Sequence, residues 1–202
     1  MTTTRLERAT LEDALRYAQF DLSRDLKGHS PMGLYGFGIA VLRDGDGRVA
    51  QVEPFCNLIT DVGDEFIACK VGNGIHSQTI SYTNPDGMKL GTAATAVAKN
   101  STGSWIATTT DYVSGSNNAF DAGSPTATVV SAGNGWTTNF QTTWAAGDST
   151  ATIQHAEICN NQASDAGHTT AANTLAITTF SAITKTASDS LTITWKWTAR
   201  GT

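Results

Sequence analysis

Trp136-Thr-Thr-Asn-Phe-Gln-Thr-Thr-Trp144 and Leu191-Thr-Ile-Thr-Trp-Lys-Trp197 are the two stretches that decide the fold class. In the first, Trp136, Thr138, Phe140, Thr142 and Trp144 share one parity; in the second, Leu191, Ile193, Trp195 and Trp197 do. Side chains two apart lie on one face of a strand, and β-branched and aromatic residues suit a pleated, half-buried surface. Large apolar groups gathered on one parity mark a core face, so these tryptophans are expected inside the domain and not as a platform for sugar rings. A third run, Leu175 to Thr184, has Ile177 and Ile183 on one parity and Phe180 on the other. That pattern predicts a bulge, or burial on both faces.

Working outward, turn chemistry separates these runs at Ala146-Gly-Asp148, Asp165-Ala-Gly167 and Ala187-Ser-Asp189, and Pro85-Asp-Gly87 reads as a further turn. Met88 to Gly91, Ser104 to Thr110 and Ala127 to Ser131 read as shorter strands. From Ser101 onward the ionisable side chains are Asp111, Asp121, Asp148, Glu157, Asp165, Lys185, Asp189, Lys196 and Arg200, with His155 and His168. Short, evenly punctuated strands of low charge predict a mainly β chain, an antiparallel β-sandwich or jelly-roll-like domain over residues 57–202.

Residues 1–56 read differently, as an N-terminal helix and hairpin forming an attachment or assembly region. Leu11, Leu15, Ala18, Leu22 and Leu26 make one apolar stripe on a helix over 10–28, capped by Thr10 and stopped by Gly28. That stripe needs a partner, either its own domain or another subunit. Gly33 to Arg43 and Arg48 to Phe55 flank Asp44-Gly-Asp-Gly47, a β-hairpin pattern in which Pro54 favours a strand end or an edge. The acidic turn lacks the closing glutamate of a calcium loop. Asn57 to Val71 is compatible with a short helix, with Asp61 as cap and Asp64 and Glu65 near its positive end.

Composition narrows the function. The chain has 202 residues, a net charge of −5 and only 15% charged residues, with no lysine or arginine run, which argues against a nucleic-acid surface. Cys56, Cys69 and Cys159 form no CxxC pair and no even framework, as expected for folding in a reducing cytosol. The N-terminus has no apolar core of a signal peptide, and no run is long enough to span a bilayer. Asn100-Ser-Thr102 matches a glycosylation acceptor, but without a signal peptide it reads as an ordinary surface stretch.

Catalytic patterns are weak. No G-x-S-x-G elbow or phosphate-cradling loop is present, and His29, His76, His155 and His168 have no orienting carboxylate evident in sequence. His155, Glu157 and Cys159 alternate on one strand face; at about 13 Å end to end they are too spread for one tetrahedral metal shell. They read as a solvated or interface-facing surface. No catalytic residue, metal or cofactor is expected. The candidate ligand-facing loop is Tyr112, Asn117, Asn118 and Phe120, which would present a ring and amides to a glycan.

Several blocks resemble, in a consistent order, a family of small accessory structural proteins of tailed-bacteriophage virions. They are Asn57-Leu-Ile-Thr-Asp-Val-Gly-Asp64, Gly87-Met-Lys-Leu-Gly-Thr92, Tyr112-Val-Ser-Gly-Ser-Asn-Asn-Ala-Phe-Asp121, Gln141-Thr-Thr-Trp-Ala-Ala-Gly-Asp148 and Thr186-Ala-Ser-Asp-Ser-Leu-Thr-Ile-Thr-Trp195. The resemblance covers about residues 57–199. His155-Ala-Glu-Ile-Cys159 departs from it, being polar where the family has an apolar strand. The resemblance implies a non-enzymatic virion component assembled in the bacterial host cytoplasm, a capsid decoration or a head-to-tail or tail component. Its implied partners are other virion proteins and copies of itself, by family habit a trimer, with neither nucleic acid nor membrane. The competing expectation is a module that recognises host-surface glycan.

Overall fold

In the computed structural model, which describes residues 32–56, 58–71, 84–92, 111–129, 135–160 and 173–201, the threonine-rich runs pair as long antiparallel strands. Along these residues come β1 (Met32–Arg43), β2 (Val49–Cys56), β3 (Leu58–Ile59), α1 (Asp61–Val71), β4 (Gly87–Gly91) and β5 (Asn118–Ala119). They are followed by β6 (Thr126–Val129), β7 (Trp136–Trp144), β8 (Ala151–Cys159), β9 (Thr174–Lys185) and β10 (Ser190–Gly201). The chain is mainly β, in two antiparallel five-stranded sheets ordered β2-β1-β10-β7-β6 and β3-β9-β8-β4-β5.

One apolar cluster draws on both sheets. Leu42, Phe140, Trp144, Leu191, Ile193 and Trp195 come from the first, and Met88, Leu90, Ile153, Ile158 and Leu175 from the second. The register explains the alternation. Leu191 stands opposite Trp144 and Trp195 opposite Phe140, while the intervening Thr192 and Thr194 point away. Phe55 meets Trp195 edge-on at 5.0 Å, and Phe140 meets Trp197 at 4.8 Å. Gly38 lies between Phe55 and Trp195 in the ladders, where an added Cβ would collide with the Phe55 ring and sit 2.7 Å from the Thr194 carbonyl. Trp136 departs from the expectation of burial. It shares the parity of Phe140 but stands at the strand's start, 59% exposed, beyond the reach of the core.

β1 and β2 pair antiparallel around Asp44–Gly47, where the Asp44 carboxylate accepts from the N–H groups of Asp46 and Arg48 and Gly47 takes φ 78°. β1 is also paired with β10 along its whole length, so both strands belong to the sheet that carries β7. β2 is an edge strand, as Pro54 favours.

The short helix begins later than the sequence suggests, and its cap is Thr60 where Asp61 was expected. Thr60 Oγ1 accepts from the Gly63 N–H at 3.0 Å and donates to the Thr174 carbonyl at 2.7 Å. The residues before it form β3 instead of helix, because Leu58 and Ile59 pair with Ile177 and Ala176. Pro85 and Asp86 lead straight into β4 and make no turn there, since the Asp86 N–H is taken by the Cys159 carbonyl. The irregularity expected in β9 is present. Its pairing with β8 shifts register between Ile153 and His155, and its first five residues are buried on both faces. The helix expected over 10–28, the strand over 104–110 and the turn over 165–167 lie outside the described residues.

Candidate functional site

Three places carry the side chains that sequence singled out, or that it missed. The first is the segment from Tyr112 to Phe120. Ser116 is fully buried, its hydroxyl accepting from the Leu90 N–H at 3.0 Å and its carbonyl receiving the Trp144 indole N–H at 2.9 Å. Around that anchor, Tyr112 Oη donates to Asn117 Oδ1 at 2.9 Å and Asn118 Nδ2 donates to the Thr143 carbonyl at 2.8 Å. Phe120 packs on Phe140 at 5.3 Å. All four candidate residues are thus engaged within the chain, three by hydrogen bonds that fix the segment and one by the core.

The second is the face of β8 that points away from the shared cluster. His155, Glu157 and Cys159 do lie on one side, as alternation requires, but they are not solvated. They are 2%, 0% and 0% exposed. Lys89, fully buried too, stands directly opposite Glu157 across β4 and β8, and Gly91 stands opposite His155. Opposite charges on facing strands are the usual compensation for burying either.

Burial lowers the His155 pKa from 6.5 to about 4, with Asp111 opposing that shift. The imidazole is therefore neutral at pH 7. Its Nε2 lies 3.6 Å from Glu157 Oε1 and has no hydrogen-bond partner, so this is a contact and not an ion pair. Among the described residues no group of three His, Cys, Asp or Glu side chains is placed to hold a metal ion.

The third place was not singled out by sequence. On the outer face of the first sheet, Phe37, Ile39 and Val41 of β1 alternate with the core-facing Ala40 and Leu42. They line a groove of about 450 Å³ together with Arg43 and with Thr192, Thr194 and Lys196 of β10. Lys196 sits opposite Phe37 with its ammonium 5.4 Å from the ring centroid. A smaller depression of about 180 Å³ shares Gln141 and Thr194 with it. The signal that could have found the groove is in β1 itself, which is apolar on both parities.

At the other margin of this sheet, β6 is an edge strand among the described residues, with all four of its own residues exposed. Val129, 50% exposed, pairs directly with the exposed Trp136. The stripe Leu11, Leu15, Ala18, Leu22 and Leu26 lies outside the described residues. No helix among the described residues is long and apolar enough to cross a membrane. Comparison with protein-family models, with curated proteins and with solved structures finds no match.

Proposed function

We propose that this chain is a non-enzymatic structural component of a tailed-phage virion, a surface accessory that decorates the capsid or completes the neck or tail. It acts through protein–protein contacts and is assembled in the host cytoplasm. We read its two sheets as an antiparallel sandwich of jelly-roll-like type and its working form as a symmetric homo-oligomer, in keeping with a trimer.

The observation that carries this reading is the β6 margin. Thr126-Ala-Thr-Val129 is an uncharged edge with an exposed aliphatic–aromatic pair, Val129 and Trp136, at one end. Natural edges left free are usually blunted by charge, proline or a bulge, and β6 has none of these within its four residues. An edge of that kind suits a surface covered by another subunit. The ordered resemblance over residues 57–199 supports the virion setting.

Trp136→Ser tests the reading. The variant should fold as the parent does, since its ring is outside the core, yet it should lose incorporation into particles or its homo-oligomeric state. Unchanged incorporation together with unchanged oligomer mass would contradict the proposal. Specific binding on a glycan array, abolished by Tyr112→Ala, would replace it with adhesion.

A further inference from the structure

Where β6 begins, the outer face of the first sheet carries the depression of about 180 Å³, set between the turn at residues 121–124, β7 and β10. Its position follows from parity. Asn139 and Gln141 alternate with the core-facing Phe140, Thr126 pairs with Asn139, and Thr194 pairs with Gln141. Val129 pairs with Trp136, which has the Phe140 parity, so that exposed pair and the depression lie on opposite faces of the sheet. Gly123, at φ 84°, leaves the rim open: an added Cβ there would meet nothing within 4 Å.

Apart from Ala122 and Gly123, the residues that line the depression are polar, and Asp121 alone among them is charged. Part of this set is held still. The Asp121 carboxylate accepts from the Thr143 N–H at 2.9 Å, the Thr143 hydroxyl at 2.8 Å and Gln141 Nε2 at 2.9 Å. Ser124 Oγ accepts from the Gln141 N–H at 2.8 Å and donates to the Asn139 carbonyl at 3.3 Å. A carboxylate has about four acceptor positions and a carboxamide nitrogen carries two N–H groups, so Asp121 and Gln141 each keep capacity for a ligand. Among the described residues, nothing hydrogen-bonds the Asn139 carboxamide or the Thr126 hydroxyl.

That mixture selects the ligand. An anion calls for donors alone and a metal ion for acceptors alone, whereas a hydroxyl both donates and accepts. The volume is below the roughly 300 Å³ at which sites for larger ligands begin, which suits one ring and not a chain of them. We infer that the depression binds a terminal sugar residue of a glycan through its adjacent hydroxyls. Asp121 accepts, Gln141 donates its second N–H, and Asn139 does both. No aromatic ring lines the site among the described residues, so recognition rests on hydrogen bonds and a single residue binds with a Kd on the order of 1 mM. Tyr112 is committed to Asn117 and does not line it. The site also stands apart from the virion reading, since subunit contact through Val129 and Trp136 uses the other face.

Two-dimensional NMR of the isotope-labelled full chain tests the assignment. The probes are the methyl glycosides of glucose, galactose, mannose and N-acetylglucosamine, with sorbitol, calcium chloride and sodium phosphate titrated separately. At least one glycoside should shift the amides of Gly123, Thr126 and Gln141 saturably. Asn139→Ala should weaken that binding roughly tenfold, the size of one hydrogen-bonding group lost from a site, while leaving the denaturant midpoint unchanged. Tyr112→Ala should bind as the parent does. No saturable shift with any glycoside, shifts confined to another surface, or undiminished binding by Asn139→Ala would overturn the assignment. Equal binding of sorbitol, calcium or phosphate at these amides would overturn it too, giving the depression to free polyols or ions, and loss of binding in Tyr112→Ala alone would move the sugar to residues 112–120.

Discussion

At the scale of single residues, two buried groups govern how firmly the sheets hold their neighbours. An added Cβ at Gly63 would strike the Leu175 carbonyl and lie 2.8 Å from Ile59 Cγ2, so α1 approaches β9 as closely as a backbone allows. Gly63→Ala should therefore cost about 2 kcal/mol by pushing α1 off the sheet, read as a lowered denaturant midpoint. An unchanged midpoint would contradict that packing.

His155 makes the second case. Between pH 6.5 and about 4 the unfolded imidazole takes up a proton that the buried one does not. Unfolding then binds a proton, so stability is whole above pH 6.5 and falls as pH drops towards 4, by roughly 3 kcal/mol across the window. His155→Gln should flatten that part of the pH profile relative to the parent, with the carboxylates common to both. Parallel profiles would mean that the folded imidazole takes up its proton as the unfolded one does, and would contradict the lowered pKa. Neither role is visible in sequence. Alternation does place His155, Glu157 and Cys159 on one side, but whether a sheet face meets water depends on what covers it, which local pattern does not encode.

At the scale of elements, the long strands were legible because their parity is strict. Leu191 to Trp197 and Phe140 to Trp144 alternate in the structure as they do in the text. The short pieces were not. β3 takes two residues from a stretch compatible with helix, since tertiary pairing with β9 outweighs propensity there. Likewise β1 and β10 are joined through contacts more than 140 residues apart in sequence, which no periodicity reports.

A further device at this scale is the completion of β7 where β6 stops. Asp121 substitutes for a strand: its N–H donates to the Gln141 carbonyl at 2.8 Å and its carboxylate accepts from the Thr143 N–H at 2.9 Å and hydroxyl at 2.8 Å. Ser124 Oγ accepts from the Gln141 N–H at 2.8 Å. Asp121→Ala should cost about 2 kcal/mol and release the Thr143 amide to hydrogen exchange, while the amides of β10 stay protected. Retained protection at Thr143 would mean another acceptor takes over.

A second device of this kind is at the turn between β9 and β10. Lys185, buried, donates to the carbonyls of Ala145 at 2.9 Å and Asp148 at 2.7 Å, clamping the β7–β8 turn against it. Burial lowers its pKa, with Asp148 and Asp189 opposing. The Thr186 hydroxyl and N–H hold the Asp189 carboxyl low in turn. Lys185→Met should loosen both turns, seen as faster exchange of the Gly147 N–H, which bonds the Ala187 carbonyl at 2.7 Å.

At the scale of the whole molecule, the distribution of polar and apolar surface argues for contact. One sheet keeps an apolar groove on its outer face and an uncharged edge at its margin, and the other buries charge on the side away from the core. We propose that this margin is the surface covered by other subunits. Tyr112, Asn117, Asn118 and Phe120, which sequence put forward for ligand, are engaged within the chain, and Trp136, which sequence put in the core, is exposed.

Quantitative mass spectrometry of purified phage particles tests the central claim most directly. The account predicts this chain in a fixed ratio to the major capsid protein, many copies for a capsid decoration and few for a neck or tail component, with Trp136→Ser lowering that ratio. Particles that form and infect without any copy of the chain bound, while the protein remains a free monomer in the lysate, would contradict it.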